Sequence, residues 1–176
     1  MEKITMSKTF RSWAEVAPRL IAVAAGREQA DRVFRNCKLV NVQTREVLDG
    51  WQVAIAEGRF AYVGADASHC IGEDTEIFDV NGRYLIPGLC DGHMHIESGM
   101  LTPAEFAAAV IPHGTTTMFT DPHEIANVLG LEGVRMMHDE AFMQPVNIFT
   151  QMPSCAPSAP GLETTGFEIS AEDVAE

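Results

Sequence analysis

Beyond Pro87-Gly88 the sequence alternates in texture, and this alternation limits the folds open to it. A short strand runs into "DGHMHIES", a helix starts from Thr102 on "TPAEF", and a β-branched strand follows in "TTTMFTD". A helix then lies near "LEGVRMMHDEAFMQ" and a further strand in "VNIFTQM". Strand, helix, strand, helix, strand is the repeating unit of a parallel α/β sheet, because each helix carries the chain back to begin the next strand in the same direction. After it, "PSCAPSAPGLETTG" is dense in Pro, Ser and Gly and reads as a loop, and "EISAEDVAE" starts another helix.

The chain ahead of this region differs. From Ser12 to about Ala25, "SWAEVAPRLIAVAAG" places apolar residues at helical spacing, with Ser12 as N-cap, Glu15 at the capping-box position and Gly26 as the stop. Pro18 inside that run is a point at which the helix can split. The runs "RVFRNCKLVNV", "WQVAIAEGRFAYVG" and "EIFDVNGRYLIP" are short and β-rich, and Glu57-Gly58 reads as a tight hairpin with Gly58 at positive φ, so a small antiparallel sheet is expected. The organisation predicted is a helical segment over 1–29, a β-rich segment over 30–86 and the alternating α/β region over 87–176.

Charge narrows the partners. Twelve Lys and Arg against twenty-five Asp and Glu give a net charge of −13, which excludes the basic surface that nucleic-acid binding requires. Cys37, Cys70, Cys90 and Cys155 form no CxxC pair, so neither a disulfide framework nor a thiolate zinc site is indicated, and a reducing cytoplasm fits. The first residues lack a signal-type apolar segment, and no run reaches the ~18 apolar residues of a membrane helix, so no membrane role is expected.

Chemistry-bearing residues gather where the alternating strands end. His93 and His95 stand two residues apart, so in a strand they face the same side, ~6.6 Å of rise apart, within reach of one cation. In a closed parallel barrel, the C-terminal strand ends point into the mouth where catalytic groups collect. One βα unit later Asp121, His123 and Glu124 crowd the end of the next strand and face the same mouth. The bland alternative is that Asp121 caps a turn fixed by Pro122, with His123 and Glu124 solvated in a loop. Glu97 can bind a metal, orient a ligand histidine, or merely hold its loop. His113 reads as a helix C-terminal residue, His69 and His138 as surface residues, and Met136, Met137 and Met143 as core.

"PGLCDGHMHIES" resembles the first-strand signature of the amidohydrolase superfamily. More narrowly, "HMHIESGMLTPAEFAAAVIPHGTTTMFTDPHEIANVLG" and "MPSCAPSAPGLETTG" are similar to the bacterial adenine deaminases, over roughly Ala25 to the end. Two small departures are Gly99 in place of a second serine and Leu89-Cys90 in place of Phe-Ile. The resemblance implies the N-terminal part of a (β/α)8 metal-dependent hydrolase barrel preceded by a small β-sandwich segment. It implies hydrolytic deamination of adenine to hypoxanthine and ammonia in purine salvage, with manganese or iron as the divalent metal and zinc as another candidate. His93 and His95 match the family's first-strand metal ligands; His123 is taken as a further metal ligand and Asp121 and Glu124 as catalytic groups, with Glu97 supporting the ligands.

A whole barrel takes ~250 residues, and the pattern here covers about three of its eight strands. The expectation is therefore a portion that is inactive alone, holds part of an active site and exposes an open sheet edge, with a homo-oligomer at full length. The competing readings are another amidohydrolase, such as a dihydroorotase- or hydantoinase-like cyclic amide hydrolase, or a non-catalytic segment assembling with a second chain.

Overall fold

The structure, a computed structural model, describes residues 11–175, and the first ten residues of the 1–29 segment lie outside them. The described residues fall into two compact units that divide between Pro87 and Gly88.

The first unit opens with helix α1 (Trp13–Ala24). The Glu15 carboxylate accepts from the Ser12 N–H at 2.6 Å and from its hydroxyl at 2.8 Å. At the other end Gly26 takes φ +68°, which lets its N–H reach the Val23 carbonyl and the Arg27 N–H reach that of Ala22, so the last carbonyls are satisfied. Pro18 does not split the helix; Ala14, whose carbonyl it leaves without an amide partner, is exposed. Val16, Leu20 and Val23 form the buried stripe and pack with Val33, Ala54, Ala56 and Cys70. Burying a Val or Leu side chain contributes about 1.5–3 kcal/mol.

The sheet beneath α1 consists of β1 (Arg32–Asn41), β2 (Glu46–Ala56), β3 (Arg59–Gly64), β4 (Glu76–Asp79) and β5 (Tyr84–Leu85). The order is β3-β2-β1-β4, with β5 also on β1. Glu57 and Gly58 both take positive φ in the hairpin joining β2 to β3. The sheet is mixed, which corrects the antiparallel expectation: β4 and β5 run parallel to β1. Between β3 and β4 the chain crosses to the far edge of β1, and strand patterning carries no information about such a crossing. Helix α1 and this sheet share one core, so the helical and β-rich segments stand in a single unit.

The second unit holds β6 (Leu89–Met94), α2 (Pro103–Val110), β7 (Thr115–Thr120), α3 (His123–Phe142), β8 (Asn147–Thr150) and α4 (Ala171–Ala175). Its strands lie in the order β6-β7-β8, both pairs parallel. Ala107, Phe106 and Val110 of α2 pack on Met118, Val146 and Ile148, so β7 turns Met118 toward the helix. Phe119 then faces the other side of the sheet, where it stacks on Phe149 with centroids 5.1 Å apart. The Glu140 carboxylate of α3 accepts from the Thr102 hydroxyl at 2.6 Å and the Ala104 N–H at 3.3 Å, capping α2 from a neighbouring helix.

Two further expectations need correction here. Helix α3 starts at His123 rather than near Leu131, because the proline ring of Pro122 presets the chain and Glu124 in the first turn faces the positive end of the helix dipole. The helix breaks at Gly130, with φ +61° and ψ −146°. Of the three methionines assigned to the core, only Met137 is buried; Met136 and Met143 are exposed, since they lie off the stripe that includes Gly133, Val134, Met137 and Ala141.

Candidate functional site

The ends of β6 and β7 are brought level by their register. Met94 pairs with Thr120, and one residue on, the Asp121 N–H donates to the Met94 carbonyl at 2.9 Å. Strand β6 carries one extra residue between Asp91 and Met94, and the Asp91 carboxylate accepts the His93 N–H at 3.2 Å within this bulge. His93 and His95 emerge side by side, with ring centroids 5.0 Å apart and Nε2 atoms 3.2 Å apart. The Asp121 carboxylate completes a group of three whose donor atoms all lie within 4.8 Å of one another. A second group, His95, Glu97 and Glu124, meets the same limit and shares the His95 ring.

Behind His95 the arrangement is acidic. Nδ1 of His95 lies 3.1 Å from Glu124 Oε2, at contact distance but without the alignment of a hydrogen bond. The Ser98 hydroxyl donates to Glu124 Oε1. Glu97 lies in the single 3₁₀ turn after β6 and accepts the Ile125 N–H at 3.4 Å. Burial, with the nearby Glu124 charge, pushes the Glu97 carboxyl above the ordinary range. Burial pushes Glu124 up as well, but the Ser98 hydroxyl, its own backbone, His95 and Glu97 together outweigh this and hold it below the ordinary range.

The donor set fits a divalent cation. Buried polar atoms normally find partners, because leaving one unpaired costs about 1–3 kcal/mol. Among the described residues, Asp121 Oδ1 and Glu97 Oε2 are buried without a hydrogen-bond partner, Asp121 in the group with His93 and His95 and Glu97 in the second group, while Asn127 Oδ1 and Thr150 Oγ1 are also unpartnered outside both groups. Two imidazole nitrogens and a carboxylate converging from adjacent strand ends are donors of the kind such an ion requires.

His123 contributes to neither group among the described residues. It occupies the first turn of α3 with its ring 6.4 Å from that of His95, and its Nδ1 lies 3.8 Å from Cys155 Sγ. Glu124 is likewise in that first turn, so neither residue sits in the loop expected after β7. His113 ends a 3₁₀ turn before Gly114, His138 is exposed on α3, and His69 contacts the Ala24 carbonyl in the other unit. Ser98 and Cys155 also stand at this site, against Glu124 and His123. Ser98 was detectable as a hydroxyl inside "HIES"; Cys155 carried no local signal, since its distance from His123 depends on the path of the loop after β8.

A sequence model of the amidohydrolase family matches residues 84–176. The chain belongs to the amidohydrolase family. Family members are metal-dependent hydrolases, in keeping with the donor groups at the strand ends. An adenine deaminase of Ruegeria pomeroyi is 81% identical over 168 residues, 96% of this chain and 28% of that protein. One of Moorella thermoacetica is 51% identical over 170 residues, 97% of this chain and 28% of that protein. The chain thus spans about 28% of the length of these curated relatives. In fold it is similar to an L-hydantoinase (dihydropyrimidinase) of Arthrobacter aurescens, with a TM-score of 0.51 and 21% identity over 70% of this chain and 27% of that one. Strands β6 to β8 and their helices are the first units of the family's (β/α)8 barrel. Among the described residues no helix is long and apolar enough to cross a membrane.

Proposed function

We propose that this chain supplies the first metal-binding strand ends of a hydrolase that converts adenine and water to hypoxanthine and ammonia. The observations that carry the metal half of this reading are the approach of the His93 and His95 Nε2 atoms and the convergence of donor atoms of His93, His95 and Asp121. The adenine half rests on the identity with proteins named adenine deaminase. His93, His95 and Asp121 would hold the cation, which, when bound, supplies the Lewis acidity that makes water a nucleophile near neutral pH. Nitrogen and oxygen donors without a thiolate suit Mn²⁺ or Fe²⁺, with Zn²⁺ the competitor.

The remaining groups take their parts from where they lie. Asp121 serves as the third donor, His123 stands beside His95 with its ring 6.4 Å away, and the Glu97–Glu124 pair stands behind His95. The same reading assigns the protein to purine salvage in the cytoplasm, as a homo-oligomer, with no nucleic-acid partner for so acidic a chain. In the test, the chain is completed to the length of its relatives, loaded with Mn²⁺ or Fe²⁺, and followed by loss of adenine absorbance with and without His93→Ala. Loss of at least a hundredfold in kcat/KM is expected; unchanged turnover in the variant refutes the metal assignment, and turnover of cyclic amides but not adenine refutes the substrate.

A further inference from the structure

We infer that Glu124, itself anchored by Ser98, is a positioning residue that fixes the ring orientation and tautomer of His95. The inference rests on the metal reading above and goes beyond it by assigning the group behind the ligand. An imidazole bound to a cation through one nitrogen carries its proton on the other, and that N–H needs an acceptor to hold the ring. Here Nε2 of His95 lies 3.2 Å from Nε2 of His93, on the ring edge that the two histidines share, so Nδ1 is the nitrogen left to face the protein. Its nearest carboxylate oxygen is Glu124 Oε2 at 3.1 Å.

The carboxylate is held for this task. Its other oxygen accepts the Ser98 hydroxyl, and Ser98 sits in the 3₁₀ turn directly after β6, three residues from His95. Glu124 itself lies in the first turn of α3, directly after β7, so two neighbouring strand ends are tied together through one side chain. Glu97 is the other carboxylate of the group, but the oxygen that stands at contact distance from the His95 ring is that of Glu124. Nδ1 is buried and makes no aligned hydrogen bond, but Glu124 Oε2 at 3.1 Å is within reach as the acceptor that an Nδ1–H requires once Nε2 is committed to a cation. In this reading Glu124, expected from the sequence as a catalytic group, orients the His95 ring.

The experiment uses the chain completed to the length of its relatives, Co²⁺ as probe and the visible absorption of the bound ion as readout, with circular dichroism to confirm that each variant is folded. Glu124→Ala is expected to weaken Co²⁺ binding about 10- to 100-fold, and Ser98→Ala by less, with Glu124→Asp recovering part of the loss. Glu132→Ala removes a charge from the same helix at a site 80% exposed and is expected to leave binding unchanged. Nitrogen-15 shifts of the His95 ring in the metal-free chain give a second readout, with the Nδ1–H tautomer expected in the parent and a mixture in Glu124→Ala. If Glu124→Ala costs no more than Glu132→Ala and leaves the tautomer unchanged, the inference is overturned while the metal reading stands. If the parent binds no Co²⁺, or His93→Ala binds it equally well, the metal reading itself fails.

Discussion

Replacing Gly130 by alanine tests whether the break in α3 is a structural requirement of the second unit. At φ +61° and ψ −146° this residue occupies a region that side chains strongly disfavour, at a cost of order 1–3 kcal/mol. The new Cβ would also lie 2.9 Å from Cδ1, 3.0 Å from Cγ and 3.2 Å from Cβ of Phe167. Ring rotation relieves the first of these contacts but not the last, so overpacking adds about 1–3 kcal/mol. The total, about 2–6 kcal/mol, is a large part of the roughly 5–15 kcal/mol that holds a typical domain. Gly114 provides the control, since at φ +91° it has open space where a Cβ would be, leaving only the left-handed strain of about 1–2 kcal/mol. Both tryptophans, Trp13 and Trp51, lie in the other unit, so fluorescence reports on the wrong part of the chain. Amide hydrogen exchange read by mass spectrometry on peptides from β7 and α3 is the appropriate assay, with about 1.4 kcal/mol corresponding to tenfold faster exchange. Equal acceleration by Gly130→Ala and Gly114→Ala would refute the packing part of the argument.

Two further outcomes follow from the geometry. Glu140→Ala removes the carboxylate that caps α2, and exchange in Pro103–Val110 should quicken by the equivalent of about 0.5–2 kcal/mol while β1 to β3 are unaffected. In the first unit the Arg19 guanidinium, 2.5 Å from Asp31, holds that carboxyl below its ordinary range. Because the folded pKa is the lower one, this stabilisation is present above about pH 4 and is lost as pH falls through the folded value. With Asp31 41% exposed the effect is under about 1 kcal/mol, so tryptophan-detected urea unfolding of Asp31→Asn should show a slightly shallower acid slope than the parent.

The sequence by itself determined the local features. Ser12, Glu15 and Gly26 delimit α1 because caps act over a few residues, and the Glu57-Gly58 turn follows from the conformational freedom of glycine. Alternation of strand and helix texture was enough to predict parallel pairing of β6, β7 and β8, and the two-residue period was enough to place His93 and His95 on one side. Tertiary structure decided whatever depends on which elements become neighbours: the parallel placement of β4 and β5 on β1, the exposure of Met136 and Met143, and the helical position of His123 and Glu124. It also decided the grouping at the strand ends, with Asp121 drawn to His93 and His95, Glu124 set behind His95, and His123 paired with Cys155 thirty-two residues away. Spacing along a strand fixes the side a residue faces, but distances between strand ends are set by register and bulges, which arise only when the strands pair.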